Sequence, residues 1–114
     1  MGARSYRIGR DDEWHVQRMA ELAGCLVVRA AGSHGTDLLV FTPNGANYAC
    51  DLKRNDWAGP ASRKLMADWL DHNVWPVLVC IDTRARVRRV WWRRVHYDTS
   101  MSTPTDVPPW EWGE

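Results

Sequence analysis

Two apolar runs, Asp37-Leu38-Leu39-Val40-Phe41-Thr42 and Tyr48-Ala49-Cys50-Asp51-Leu52-Lys53, flank Pro43-Asn44-Gly45 and constrain this chain more than any other feature. Asn-Gly between β-forming runs is a strong hairpin signal, because both residues tolerate the positive φ of a tight turn. The two runs are therefore expected to pair antiparallel, and the rest of the chain must be arranged around that pair. A length of 114 residues leaves room for one such core and no second full domain.

Upstream of the hairpin, residues 11–23 place Val16, Met19, Ala20 and Ala23 at helical spacing, with acids in the first turn and Gly24 as the stop. Residues 25–28 read as a short strand leading into Arg29, and Ala30-Ala31-Gly32-Ser33-His34-Gly35 as a connection punctuated by glycine. Downstream, after a loop containing Trp57 and Gly59-Pro60, residues 62–73 put Leu65, Met66, Trp69 and Leu70 on one helical face. Residues 76–81 have the continuous apolar character of a buried central strand, and residues 87–95 follow as another after the turn-prone Asp82-Thr83-Arg84. The order helix, strand, strand, strand, helix, strand, strand predicts an α/β chain with a mixed central sheet over residues 1–97. Residues 98–114, rich in Pro, Ser, Thr and acid and without periodicity, are expected to form an acidic, Pro- and Trp-containing C-terminal arm.

The near-balance of fifteen basic and fourteen acidic side chains conceals an asymmetry. Residues 1–94 hold all fifteen bases and ten acids, and residues 95–114 hold only the remaining four acids. A basic body suits a polyanionic partner, and an acidic tail suits a solvated arm or a competitor for that body. No apolar run approaches the roughly 20 residues needed to cross a bilayer, and residues 1–7 lack the apolar stretch of a signal peptide. A cytoplasmic, intracellular protein without a membrane partner is therefore expected. Cys25, Cys50 and Cys80 lie far apart in apolar segments, with no second sulfur or histidine at metal-ligand spacing, and read as reduced core residues.

Chemistry concentrates at Asp51-x-Lys53. Residues two apart on a strand share a face, so a carboxylate and an ammonium are aimed into one site. Asp37 lies across the hairpin, and two carboxylates on paired strands can converge on a divalent cation. Hard oxygen ligands with open positions suit Mg, with Mn as a substitute, better than zinc. The backbone carbonyl of Leu52 is a further candidate metal ligand. Glu13 stands three residues before Val16 and seven before Ala20, which assigns it to the inward stripe of the first helix. There it would support the metal or orient Lys53, whose amine beside an attacking water would steady the charge developing on a phosphate. Asp-x-Lys taken alone is most often a surface ion pair; its combination with Glu13, Asp37 and the glycine-serine loop points to a phosphodiesterase.

Tyr6-Arg7-x-Gly9, Glu13, Leu26-Val27-Val28-Arg29-Ala30-Ala31-Gly32-Ser33, Asp37-Leu38 and Asp51-x-Lys53 together resemble the archaeal-type Holliday junction resolvases of the PD-(D/E)XK nuclease superfamily. The resemblance spans roughly residues 5–95 and implies a restriction-endonuclease-like core. By position it gives Glu13 as the acid of the first helix, Asp37 and Asp51 as metal ligands and Lys53 as the catalytic lysine. It also gives Arg29 and Ser33 as DNA-facing residues, and Tyr6, Arg7 and Arg10 as contacts to backbone phosphates. Such enzymes are Mg- or Mn-dependent homodimers that bind a four-way DNA junction and nick opposed strands symmetrically. Thr36 replaces the proline of the motif, Asp51 replaces the commoner glutamate, and Trp14 stands where a basic residue is usual. A small, solitary, arginine- and tryptophan-rich domain of this kind would suit a phage genome.

Several of these residues have competing roles. Arg29 can pair with Glu13 or Asp37 instead of a phosphate. Ser33 can simply shape its glycine loop. The crowd of Arg84, Arg86, Arg88, Arg89, Arg93 and Arg94 either contacts DNA or keeps an exposed strand edge from pairing with other chains. Among the eight tryptophans, Trp69, Trp75, Trp91 and Trp92 suit a core or dimer seam, Trp57 a base-stacking wedge, and Trp110 and Trp112 docking of the tail onto a neighbouring subunit. Outside the resolvase reading, the same metal chemistry would serve a nuclease that nicks flaps, single strands or duplex, and loss of that chemistry would leave a silent DNA-binding module.

Overall fold

A computed structural model describes the backbone of residues 3–112 and the side chains of residues 9–112. The chain is α/β. A five-stranded mixed sheet has its strands in sequence order: β1 (Leu26–Arg29), β2 (Leu38–Phe41), β3 (Asn47–Arg54), β4 (Trp75–Asp82) and β5 (Arg89–Arg94). All neighbours pair antiparallel except β3 and β4, which run parallel and are joined by the crossover through helix α2 (Pro60–Ala67). The expected hairpin forms with Phe41 opposite Asn47. Its turn is held by Thr42 Oγ1 donating to the Ala46 carbonyl at 2.7 Å, and Gly45 takes a φ of +92° that a side chain would strain.

Helix α1 (Ala3–Leu22) is longer than the apolar period predicted, reaching eight residues further toward the N-terminus. Residues 3–10 carry Gly9 and five basic or hydroxyl side chains but no apolar stripe, so periodicity could not see them. The second helix differs in the other direction. It stops as an α-helix at Ala67 and continues as a 3-10 segment, Asp68–His72, ended by Asn73 in the left-handed conformation.

Strand alternation sorts the core into two layers. Val16 and Ala20 of α1 pack with Leu38, Val40, Tyr48, Cys50, Val77, Val79, Ile81 and Trp92 on one face of the sheet. On the other face Met66 of α2 packs with Leu78, Ala58 and Val95. The three cysteines are free and buried. Among the described residues no helix is long and apolar enough to cross a membrane.

The segment read as an acidic C-terminal arm packs along the body. Residues 98–112 turn back along β5, where Trp92 and Thr105 exchange backbone bonds of 2.8 and 3.0 Å and Ser102 N–H donates to the Arg94 carbonyl at 2.9 Å. Trp110 meets Trp92 edge-to-face at 5.3 Å, and Trp112 meets Tyr48 at 6.1 Å. The two tail tryptophans thus dock within the same chain, because β5 offers both an open ladder and an aromatic surface that local composition does not disclose.

Candidate active site

Beyond the Leu38–Cys50 pair the β2–β3 ladder becomes irregular, and Asp37 is pinned to both neighbours of Asp51. Its N–H donates to the Cys50 carbonyl at 2.8 Å, and its carboxylate Oδ2 accepts from Leu52 N–H at 2.8 Å. Asp37 and Asp51 are thereby brought together as the sequence predicted. Asp51 is 7% exposed, and its Oδ2 has no hydrogen-bond partner. Burial, followed by the repulsion of Asp37 and opposed by Lys53, pushes its carboxyl up to about 7. Asp37 is also raised, chiefly by burial, although its backbone hydrogen bond and the nearby Lys53 and Arg29 work against the shift. A buried acid whose ionisation is hindered by burial and by a neighbouring carboxylate is a common mark of a functional site.

Lys53 shares the Asp51 face of β3 and is exposed, near enough to both acids to favour their charged forms. It forms none of the salt bridges found among the described residues. Its ammonium therefore stands at the mouth of the site, available to an incoming anion.

Glu13 is placed differently. Arg29 ends β1 on the α1 side of the sheet and donates from Nε to Glu13 Oε2 at 2.8 Å. Glu13 is close enough to raise Asp37, yet its carboxylate is committed to arginine. Of the alternatives for Arg29, the free chain thus uses the pair with Glu13. Among the described residues no group of three or more His, Cys, Asp or Glu side chains is placed to hold a metal ion.

The innermost acid of α1 is Asp12, not Glu13. Asp12 is 5% exposed and takes a two-pronged bond from Arg54, at 3.0 Å from Nε and 2.6 Å from Nη2. The signal was present in the sequence, since Asp12, Val16 and Ala20 repeat every fourth residue and share one stripe. The Arg54 guanidinium is held even above its ordinary value by the Asp12 bond. This pair fixes α1 against the end of β3 and so sets the height of Glu13 above the site.

The DNA-facing candidates are dispersed around this rim. Ser33 is exposed in the 3-10 turn Ser33–Gly35 beside His34, whose ring bonds Asp68 at 2.9 Å. The Ser33 backbone closes that turn, its N–H donating to Ala30 and its carbonyl accepting from Thr36. Arg10 is exposed on α1, and the side chains of Tyr6 and Arg7 lie outside those described. Leu52 turns its side chain into the α1-side core and gives its N–H to Asp37. Compared with protein-family models and with curated proteins, the chain matches none.

Proposed function

We propose that the protein is a divalent-metal-dependent endodeoxyribonuclease, a Holliday junction resolvase on a PD-(D/E)XK nuclease core. One observation carries the chemistry: a buried carboxylate oxygen of Asp51 without a partner, bracketed by Asp37, with Lys53 two residues along the strand. A carboxylate held out of water needs a compensating cation or proton. The oxygen donors fit Mg or Mn, and Mg is commonly held by one or two carboxylates with substrate phosphate and water completing its shell. Asp37 and Asp51 would hold the ion, with the Leu52 carbonyl as the additional candidate ligand and Glu13 as a further acid close to Asp37. When bound, such an ion acts as a Lewis acid on a phosphoryl oxygen and lowers the pKa of water.

The remaining work falls to the chain's own groups. Lys53 would hold the attacking water against the phosphodiester and stabilise the charge that grows on its non-bridging oxygens. Glu13 positions Arg29, which can exchange its carboxylate partner for a strand phosphate at the rim. What supports junction selectivity is the sequence resemblance, and what supports a homodimer is the edge strand β1. There Leu26 and Val28 remain 66% and 45% exposed on one face, an apolar edge that a second copy would cover.

The deciding experiment incubates the purified protein with labelled four-way junction, flap, single-stranded and duplex DNA, with and without Mg. Paired symmetric nicks with 5′-phosphates, confined to the junction and dependent on metal, are the expected outcome. Cutting spread over the other substrates would replace the resolvase by a general nuclease, and no cutting of any substrate would leave a binding module.

A further inference from the structure

The parallel pairing of β3 with β4 puts the β4–β5 connection at the same end of the sheet as Lys53. Lys53 stands opposite Cys80, and Cys80 opposite Trp91, so strand register sets Lys53 and Trp91 in one row on one face. The next row along pairs Asp82 with Arg89, whose guanidinium lies 6.0 Å from the Trp91 ring centre. Two strand spacings separate Lys53 from Trp91, about 10 Å, or about three nucleotide steps at 3.4 Å each.

Between the two strands, residues 83–88 carry Arg84, Arg86 and Arg88, all exposed, and no acid. The base of this hairpin is fastened to the exit of β3. Asn55 Nδ2 donates to Thr83 Oγ1, and Thr83 N–H donates back to Asn55 Oδ1, each at 2.9 Å. Among the described residues only Arg84 of this segment forms a salt bridge, to Asp82 at 3.1 Å. The edge of β5 is closed from Trp92 onward by the returning C-terminal segment, so that stretch of edge does not need the charge of residues 83–88. The arginines that serve that closure are different ones: Arg93 donates to the Ser102 carbonyl and covers Trp57, and Arg94 lies between Trp75 and Trp112.

We infer that the arginine hairpin between β4 and β5, with Arg89 and Trp91 at its foot, is a second nucleic-acid contact that grips the sugar-phosphate backbone of a DNA arm leading away from the Asp37–Asp51 site. The inference rests on the nuclease reading of that site. Guanidinium groups match phosphate oxygens in a planar fork, and Trp91 offers a face on which a sugar or an unpaired base can rest. The hairpin is anchored two residues beyond Lys53, so phosphate binding there fixes the strand relative to the lysine. The hairpin positions DNA and takes no part in the bond-breaking step.

The test measures binding of labelled duplex and four-way junction across a salt series in chelator, with the Asp51→Asn chain as parent so that nothing is cut. Each lost phosphate contact lowers the log-log salt slope by about 0.9. In that background Arg86→Ala alone should cost about one unit of slope, and Arg86→Ala, Arg88→Ala and Arg89→Ala together two to three units. Arg18→Ala, on the outer surface of α1, should leave the slope unchanged. Slopes equal to the parent's in both hairpin variants would overturn the inference while leaving the nuclease reading intact. Failure of the parent itself to bind DNA would remove the nuclease reading and the hairpin contact with it.

Discussion

Between Tyr48 and Lys53 one strand passes from the most aromatic part of the core to its most charged rim. At the Tyr48 end, Trp92, Trp110 and Trp112 close over the sheet, and the chain supplies its own cover from residues 98–112. A single neutral group, Trp92 Nε1, is left there without a hydrogen bond. At the other end Arg54 neutralises Asp12, yet Asp51 keeps an unpartnered oxygen beside a second acid. An unpaired indole N–H costs little compared with an unpaired buried carboxylate. The contrast puts the proposed site at the end where stability is conceded, and the stable core at the end sealed by aromatic rings.

The same geometry separates the tail from the site. Trp112 rests on Tyr48, five residues along β3 from Lys53, or about 16 Å of strand. In this arrangement the acidic segment packs at the far end of the sheet, away from the proposed site.

Removing the seal should have the largest effect. Trp92→Ala deletes a fully buried indole and should cost about 3–5 kcal/mol in urea unfolding, with loss of the Trp110 and Trp112 environments in near-ultraviolet circular dichroism. Next comes the brace at the charged end. Asp12→Ala leaves Arg54 without its partner and should cost about 2 kcal/mol by the same measurement.

Asp51→Asn should act in the opposite sense. The folded-state carboxyl, at about 7 against an ordinary 3.8, retains its proton over a range in which the unfolded chain has released it. The stability associated with that proton is complete below the unfolded value and is lost as pH rises through the folded one. In chelator, the thermal midpoint of the native chain should therefore fall between pH 5 and pH 8, and Asp51→Asn should flatten this fall and melt several degrees higher at pH 8. Added Mn at pH 8 should raise the native midpoint and leave that of Asp51→Asn unmoved. The smallest effect is expected outside both ends: Trp14→Ser, on an exposed face where the ring lies 5.8 Å from the Arg18 guanidinium, should change stability by no more than about 0.5 kcal/mol.

Those features that depend on local pattern were legible in the sequence. Asn44-Gly45 announced the hairpin, alternation placed Asp51 and Lys53 on one face, and the continuous apolar run ending at Ile81 identified the central strand. What escaped depends on partners distant in the chain. The first two turns of α1 have no apolar period, and the Asp12–Arg54 bond joins residues 42 apart. Residues 98–112 look disordered by composition because their few apolar groups find their partners, among them Trp92, Tyr48 and Val95, only in distant parts of the chain. Glu13 lies close to Asp37, and of the partners that the sequence left open for Arg29 the choice of Glu13 depends on how α1 meets the end of β1, which spacing does not give.

The claim on which the account turns is that Asp51 is a metal ligand and not a structural acid. Binding and cutting of a labelled four-way junction by the native chain and by Asp51→Asn, side by side in Mg, test it most directly. The account predicts that Asp51→Asn binds the junction as tightly as the native chain and cuts it at least a thousandfold more slowly, on the order of 4 kcal/mol in the barrier. Cutting that survives the substitution, or binding that disappears together with cutting, would contradict it.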